Sequence, residues 1–337
     1  MDKSFFQILE TLWNNALARR GGYSQIPTSL FVSRIDVNMP AIPPLDLFLE
    51  NPDGTFKLLR SHDEPYSPLA LSVHPHVWIL EKDLRAIKLH AEAQSLAPDR
   101  LTAPNVPAEQ RAQELRKTAI RVIEDLFENP SPENIQRSNK VVSSFVYLLM
   151  KDPKAYLLLS KLSSHDPYTL QHSVGTSVAA IILGKKVGIT DENDLNTLGL
   201  AGLLHDIGKT TVSREIINKN GPLDEDEWEE MKQHASEGYR IIHDIPGIDE
   251  RTKRAILEHH EGCDGGGYPQ GLKADQMHLF SKIVAICDIF NGLTTDRTYS
   301  KARSPFDAFR YIRDNLHAKV DEAIFKQLVL IYGGATE

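Results

Sequence analysis

Cysteine is scarce in this chain of 337 residues: Cys263 and Cys287 are the only two. No disulfide framework can be built from them, and a reducing, cytoplasmic setting is expected. Long apolar runs are absent too. No stretch reaches about 18 apolar residues without a charge, so no membrane-spanning helix is expected. Residues Met1 to Gly21 lack a basic segment followed by an apolar one, and do not read as a signal peptide. Positive charge is also short. Lys plus Arg total 38 against 46 Asp plus Glu, a formal net charge of −8. With no long basic run, the chain is a poor candidate for binding a nucleic-acid polymer or an anionic membrane. The composition is otherwise that of a globular protein, with 41% apolar and 25% charged residues, which excludes disorder as the main state.

Proline divides the chain. Of 19 prolines, 13 lie between Pro27 and Pro132. Between about residues 25 and 80, short β-rich runs alternate with turns: Leu30–Ile35, Leu45–Leu49, Phe56–Leu59 and Val77–Leu80 read as strands. Asn51-Pro-Asp-Gly-Thr55 predicts a hairpin turn, since Pro presets φ and Gly permits positive φ. Glu81 to Ser95 reads as a helix, and Phe5 to Ala18 as an amphipathic one. His74-x-His76 suits a surface loop better than a metal site. We expect a small α+β N-terminal domain over residues 1–105, serving regulation or dimer contact. Connecting helices follow over 106–150, with Ala97–Pro107 as a linker. An all-α domain spans 151–337, with helical periodicity at about 153–163, 167–187, 193–206, 225–243, 250–260, 276–292, 304–316 and 321–332.

What the chain does have is histidine: 13 in all, nine of them from His165 onward. An apolar helix runs into His205-Asp206, then Gly208-Lys209. Neighbouring imidazole and carboxylate can share a metal ion, and a carboxylate can bridge two. Lys209 can set its ammonium against a phosphate. A helix-capping pair is the bland alternative. His172 sits early in a helix with an apolar face, where a core histidine is the ordinary reading. His259-His260-Glu261 precedes Asp264-Gly-Gly-Gly-Tyr268-Pro269. Four of the eleven residues from 259 to 269 are Gly, so the loop can bring backbone N–H groups close to a phosphate. Asp288 lies in the apolar helix Ile283-Val-Ala-Ile-Cys287-Asp288, and needs a partner if buried. Arg297 and Lys301 could hold a second phosphate or a base edge; a solvated turn is the alternative.

From about Ser164 to Tyr332 these motifs resemble the HD-GYP subgroup of the HD phosphohydrolase superfamily. The resemblance rests on His172, His205-Asp206 with Lys209, His234 in Met231-Lys-Gln-His234, the HHExxDGxGYP string and Asp288. It implies an HD-type helical domain holding two divalent metal ions, or three in some members. Carried over by position, His172, His205, Asp206 and Asp288 hold one ion, and Asp206 bridges to a second held by His234, His259 and His260. The implied activity is hydrolysis of cyclic di-GMP to pGpG or GMP, with cyclic GMP-AMP the alternative substrate, and a catalytically weak cyclic-dinucleotide receptor the alternative role. The mixed N/O donors favour iron or manganese. Two cations about 3.5–4 Å apart would activate a water and offset phosphoryl charge. Asp206 and Lys209 are the expected catalytic residues, with Gly265, Gly267, Tyr268, Arg297 and Lys301 lining the substrate. Tyr168, where some members have a carboxylate, argues against a third ion held in that way. Asn291 stands where Asp is common, and Gly262 where a basic residue often occurs. A homodimer or a signalling-protein partner is also compatible.

Overall fold

A computed structural model describes residues 18–27, 45–64, 73–74, 76–104, 106–152, 155, 159, 168–219, 221–295 and 301–332. The chain divides into two compact units, Met1–Pro107 and Ala108–Glu337.

The first unit holds five antiparallel strands in the order β1-β2-β5-β3-β4: β1 Arg19–Arg20, β2 Tyr23–Pro27, β3 Leu47–Glu50, β4 Phe56–Arg60 and β5 His76–Leu80. The β3–β4 hairpin closes as its sequence predicts. Gly54 has φ +82° and donates its N–H to the Asn51 carbonyl at 2.8 Å, while the Asp53 carboxylate accepts from Thr55 N at 2.9 Å. Tyr23, Phe48, Phe56 and Trp78 form an aromatic cluster, with Tyr23 stacked on Phe56 at 4.1 Å. A one-turn 3₁₀ segment, Glu81–Asp83, leads into α1, Leu84–Ser95, as expected for 81–95; α2, Pro98–Leu101, falls within the expected linker. Strand β2 escapes a pattern reading because its inward residues are Ser24 and Ile26, both fully buried. A serine at one of the two inward positions hides the alternation on which the period-2 signal depends. The expected strand at 30–35 and the helix at 5–18, save Ala18, lie outside the described residues. His76 opens β5 and is exposed; neither it nor His74 joins a metal-holding group among the described residues.

The second unit is helical among its described residues. Helices α3, Ala108–Glu128, and α4, Pro132–Lys151, belong to it. They are followed by α5 Tyr168–Lys186, α6 Glu192–Leu204, a 3₁₀ turn Ile207–Thr211, α7 Arg214–Ile217, α8 Glu225–Lys232, α9 His234–His243, α10 Glu250–Glu258, α11 Leu279–Thr294, α12 Pro305–Asn315 and α13 Glu322–Tyr332. Its core joins Ala180 and Leu183 of α5, Leu198 and Ala201 of α6, and Ile283, Val284 and Phe290 of α11. Helices α5 and α6 approach closely because Gly202 carries no side chain; a Cβ there would lie 2.9 Å from Ser177 Cα. Gly199 likewise admits Val142 of α4. Asp191 caps α6 by accepting from Asn193 N and Asp194 N, and Asp224 and Glu227 form a capping box on α8. The periodicity read as one helix over 225–243 is two, α8 and α9, broken at Gln233. No helix of the described residues is long and apolar enough to cross a membrane.

Candidate metal centre

Five segments converge on one buried cluster. Helix α5 contributes His172, and the end of α6 contributes His205 and Asp206. His234 begins α9, His259-His260 directly follow α10, and Asp288 lies midway along α11. His172, His205, Asp206, His234 and His259 are each at most 2% exposed. Potential ligand atoms lie within 4.8 Å of one another in three sets: His172, His205 and Asp206; His205, His259 and Asp288; and His234, His259 and His260.

Asp206 sits between the sets. Its Oδ2 is 3.4 Å from His205 Nε2, and its Oδ1 is 3.5 Å from His234 Nε2. Lys209 Nζ donates to Oδ2 at 2.6 Å. Burial alone would raise the Asp206 carboxyl pKa, but His205 and Lys209 outweigh it and hold the group well below the usual carboxylate range. Asp288 is lowered in the same way, burial being overcome by its hydrogen bond with His172.

Three imidazoles share a local device that fixes their chemistry. His205 Nδ1 meets the Gly202 carbonyl at 2.9 Å, His234 Nδ1 the Met231 carbonyl at 2.6 Å, and His259 Nδ1 the Ile256 carbonyl at 2.7 Å. A carbonyl only accepts, so each Nδ1 must carry the proton. In the neutral ring each Nε2 then presents a lone pair inward. His234 Nε2 lies 3.2 Å from His259 Nε2 and 3.1 Å from His260 Nε2. His205 Nε2 is buried without a hydrogen-bond partner. The facing lone pairs of His234 and His259 repel unless a cation lies between them. Donation of the far ring N–H to a carbonyl is also the usual support of a metal-bound histidine. The donor set therefore fits divalent metal, a reading that composition alone could only raise.

Burial lowers the pKa of His234, His259 and His260, the last to about 3, and keeps them neutral as ligands must be. Burial also opposes charge on His205, but Asp206 and Asp288 leave its pKa raised. In metal-free protein, between pH 6.5 and these lowered values, the unfolded chain binds more protons at three histidines than the folded chain does. Stability then falls as pH drops below 6.5. The raised His205 acts oppositely, its contribution being lost only as pH rises above 6.5. The denaturant midpoint of metal-free protein is expected to be lower at pH 5 than at pH 7.5, as followed by circular dichroism.

His172 has a support that motif spacing does not reveal. Its Nδ1 lies 2.8 Å from Asn291 Oδ1, and its Nε2 lies 2.9 Å from Asp288 Oδ1. Gly175 makes room for this carboxamide, since a Cβ there would overlap Asn291. Asn291→Ala is expected to weaken metal affinity or kcat/KM about 10–100-fold. Asn291→Asp, which keeps an acceptor, should stay within a few-fold of the parent in the same titration.

The glycine loop is held by Glu261, a buried residue whose support of this loop the motif does not reveal. Its carboxylate accepts from Gln270 N at 2.6 Å and Leu272 N at 2.9 Å. Gly267 packs onto the ligand segment, where a Cβ would lie 2.5 Å from the His260 carbonyl oxygen. The Gly265 N–H donates to the Gly262 carbonyl and the Gly266 N–H to Asp264 Oδ1. Gly265 is thus engaged within the loop and does not offer its N–H to a phosphate in this conformation. The Tyr268 ring stacks on His260 at 4.8 Å. Lys301 is exposed, and Arg297 lies outside the described residues. Cys263 and Cys287 are free thiols.

Residues 157–324 match the HD domain family. The chain is 34% identical over 185 residues to a cyclic di-GMP phosphodiesterase of Pseudomonas aeruginosa, covering 55% of this chain and 44% of that protein. It is 31% identical over 221 residues to 3'3'-cGAMP-specific phosphodiesterase 3 of Vibrio cholerae, covering 62% of this chain and 47% of that one. It thus spans about half the length of these curated relatives. The solved structure of Bd1817, an HDG"Y"P protein from Bdellovibrio bacteriovorus, shares the fold with a TM-score of 0.65 at 20% identity, covering 93% of this chain and all of the other. Fold and site together define an HD-domain protein. Its His259-His260-Glu261 segment and the following Asp264-Gly-Gly-Gly-Tyr268-Pro269 loop refine this: the chain belongs to the HD-GYP family.

Proposed function

We propose that this chain hydrolyses the phosphodiester bonds of a cyclic dinucleotide, cyclic di-GMP first, at a centre of two divalent cations. The observation that carries the reading is Asp206, whose two oxygens face His205 on one side and His234 on the other. That is the arrangement a bridging carboxylate needs. His172, His205, Asp206 and Asp288 would hold one ion, and Asp206, His234, His259 and His260 the other. Nitrogen and oxygen donors in this ratio, with no thiolate, favour iron or manganese.

When bound, such a pair supplies positive charge that acidifies nearby water and offsets charge on the phosphoryl oxygens. The chain's own residues do the rest. Lys209, three residues beyond Asp206 and partly exposed, can donate to a non-bridging oxygen or protonate the leaving 3′ oxygen. Burial raises the Tyr268 phenol pKa, so its hydroxyl remains a donor on the pocket wall across neutral pH. Buried, neutral His234 and His259 keep their lone pairs available down to acidic pH.

The names of the relatives support the substrate class, and the 3'3'-cGAMP-specific relative keeps cyclic GMP-AMP as a second reading. A cytoplasmic setting suits two free cysteines, and the first unit would serve regulation or a homodimer or signalling-protein contact. The test is turnover of cyclic di-GMP, cyclic GMP-AMP and pGpG by iron- or manganese-loaded protein under low oxygen. Linear product from cyclic di-GMP supports the reading. Binding without turnover would make the chain a receptor instead.

A further inference from the structure

Trp228 lies on α8, two turns of chain before His234, and is 46% exposed although it is among the largest apolar side chains. Its ring meets Tyr268 edge-on, with centroids 6.2 Å apart and planes at 82°. Tyr268 in turn stacks on His260, whose Nε2 lies 3.1 Å from His234 Nε2. An aromatic run therefore leads from the ligand cluster through Tyr268 to an indole open to solvent. The helix that carries it is firmly placed. Its capping box fixes its start, Lys219 pairs with Glu227, and its Met231 carbonyl holds the His234 ring. Core packing does not account for an indole left half open at this spot.

We propose that Trp228 is a base-stacking platform that sets affinity for the purine dinucleotide, an inference that rests on the phosphodiesterase reading above. A phosphate drawn to the cluster leaves its nucleobase within reach along this run, and an aromatic face stacks any purine. The surroundings point the same way. Five of the eight α8 residues are Glu or Asp, which disfavours an anionic membrane or polyanion as the indole's partner. Several of these carboxylates are turned to local partners: Glu227 to Asp224 N, Glu230 to Ser213 N and Glu229 to Lys232. A neutral base can therefore lie on the indole without facing those charges unpaired.

The test compares Trp228→Phe and Trp228→Ala with the parent protein, all metal-loaded. Trp228→Ala is expected to raise KM for the turned-over cyclic dinucleotide about tenfold or more, with kcat and metal content little changed, and Trp228→Phe to recover most of the loss. GMP should quench tryptophan emission of the parent, ribose 5-phosphate should not, and the quench should vanish in Trp228→Phe, which retains Trp13 and Trp78. An unchanged KM in Trp228→Ala, or a quench that survives in Trp228→Phe, overturns the platform. A fall in kcat or metal content with KM unchanged also overturns it, in favour of a purely structural role. Parent protein that turns over neither cyclic dinucleotide fails the phosphodiesterase reading itself, and the platform with it.

Discussion

Asp206→Asn is expected to abolish turnover and to lower metal content from two ions per chain to at most one. The side chain keeps its shape, so the effect isolates charge. Asp206 is 1% exposed and lies between His205 and His234, with Lys209 on its Oδ2. A carboxamide offers one oxygen where two are needed, and its NH₂ would point at either the ammonium or an imidazole lone pair. Loss of a mere supporting partner costs about 10–100-fold in metal affinity or activity. Loss of a shared ligand should exceed that at both ions together. Metal analysis by mass spectrometry after gel filtration, beside a turnover assay, checks it. Two ions retained in Asp206→Asn would remove the bridging assignment.

The companion outcome concerns Lys209, whose ammonium that carboxylate neutralises. Lys209→Met should leave metal content near two ions, because Lys209 supplies no ligand. Turnover should fall by about 100-fold or more if its donor acts on the phosphoryl group. The pair of variants thus separates holding the centre from using it.

How much of this could be read from the chain depended on the kind of signal each residue carries. His205-Asp206 and Asp288 stood out because polar groups interrupt apolar helices, and burial without partners is costly. The structure supplies those partners: Asp288 meets His172, and Asp206 meets Lys209. Most helices of the second unit followed from their apolar periodicity; the short α7 did not, and α8, which has no buried residue, was merged with α9. What stayed hidden depends on distant pairs. Asn291 supports His172 from 119 positions away, and no local pattern announces that. Glu261 was visible within the motif, but its task of holding Gln270 N and Leu272 N depends on how the loop doubles back. The break at Gln233 was invisible because periodicity runs through it, although it lets His234 open a new helix. In the first unit, strand β2 was lost because a buried serine reads as polar.

Gly208 is the position where one methyl group should do the most damage to the centre. It follows Asp206 in the 3₁₀ turn, and its Cα lies directly against α9. A Cβ there would overlap the His234 carbonyl oxygen and lie 2.5 Å from Gly238 N. Both neighbours are backbone, so neither can swing aside as a side chain end would. The turn bearing Asp206 and the helix bearing His234 would have to part. Overpacking of this kind costs on the order of 3 kcal/mol. For a unit of this size that is a fall in Tm of roughly 6–12 °C. Gly188 provides the contrast. It has φ +102° with nothing within 4 Å of where a methyl group would sit, so Gly188→Ala bears only backbone strain of about 1–2 kcal/mol. Both variants lose stability, but by different physics. Gly208→Ala should also lose metal affinity, because His234 moves away from His259, His260 and Asp206. Gly188→Ala, remote from every ligand in sequence, should bind metal as the parent does. Calorimetry gives the first comparison and metal titration at a temperature where both variants are folded gives the second. Equal metal affinity in the two would mean that the 3₁₀ turn and α9 can separate without disturbing the ligands they carry.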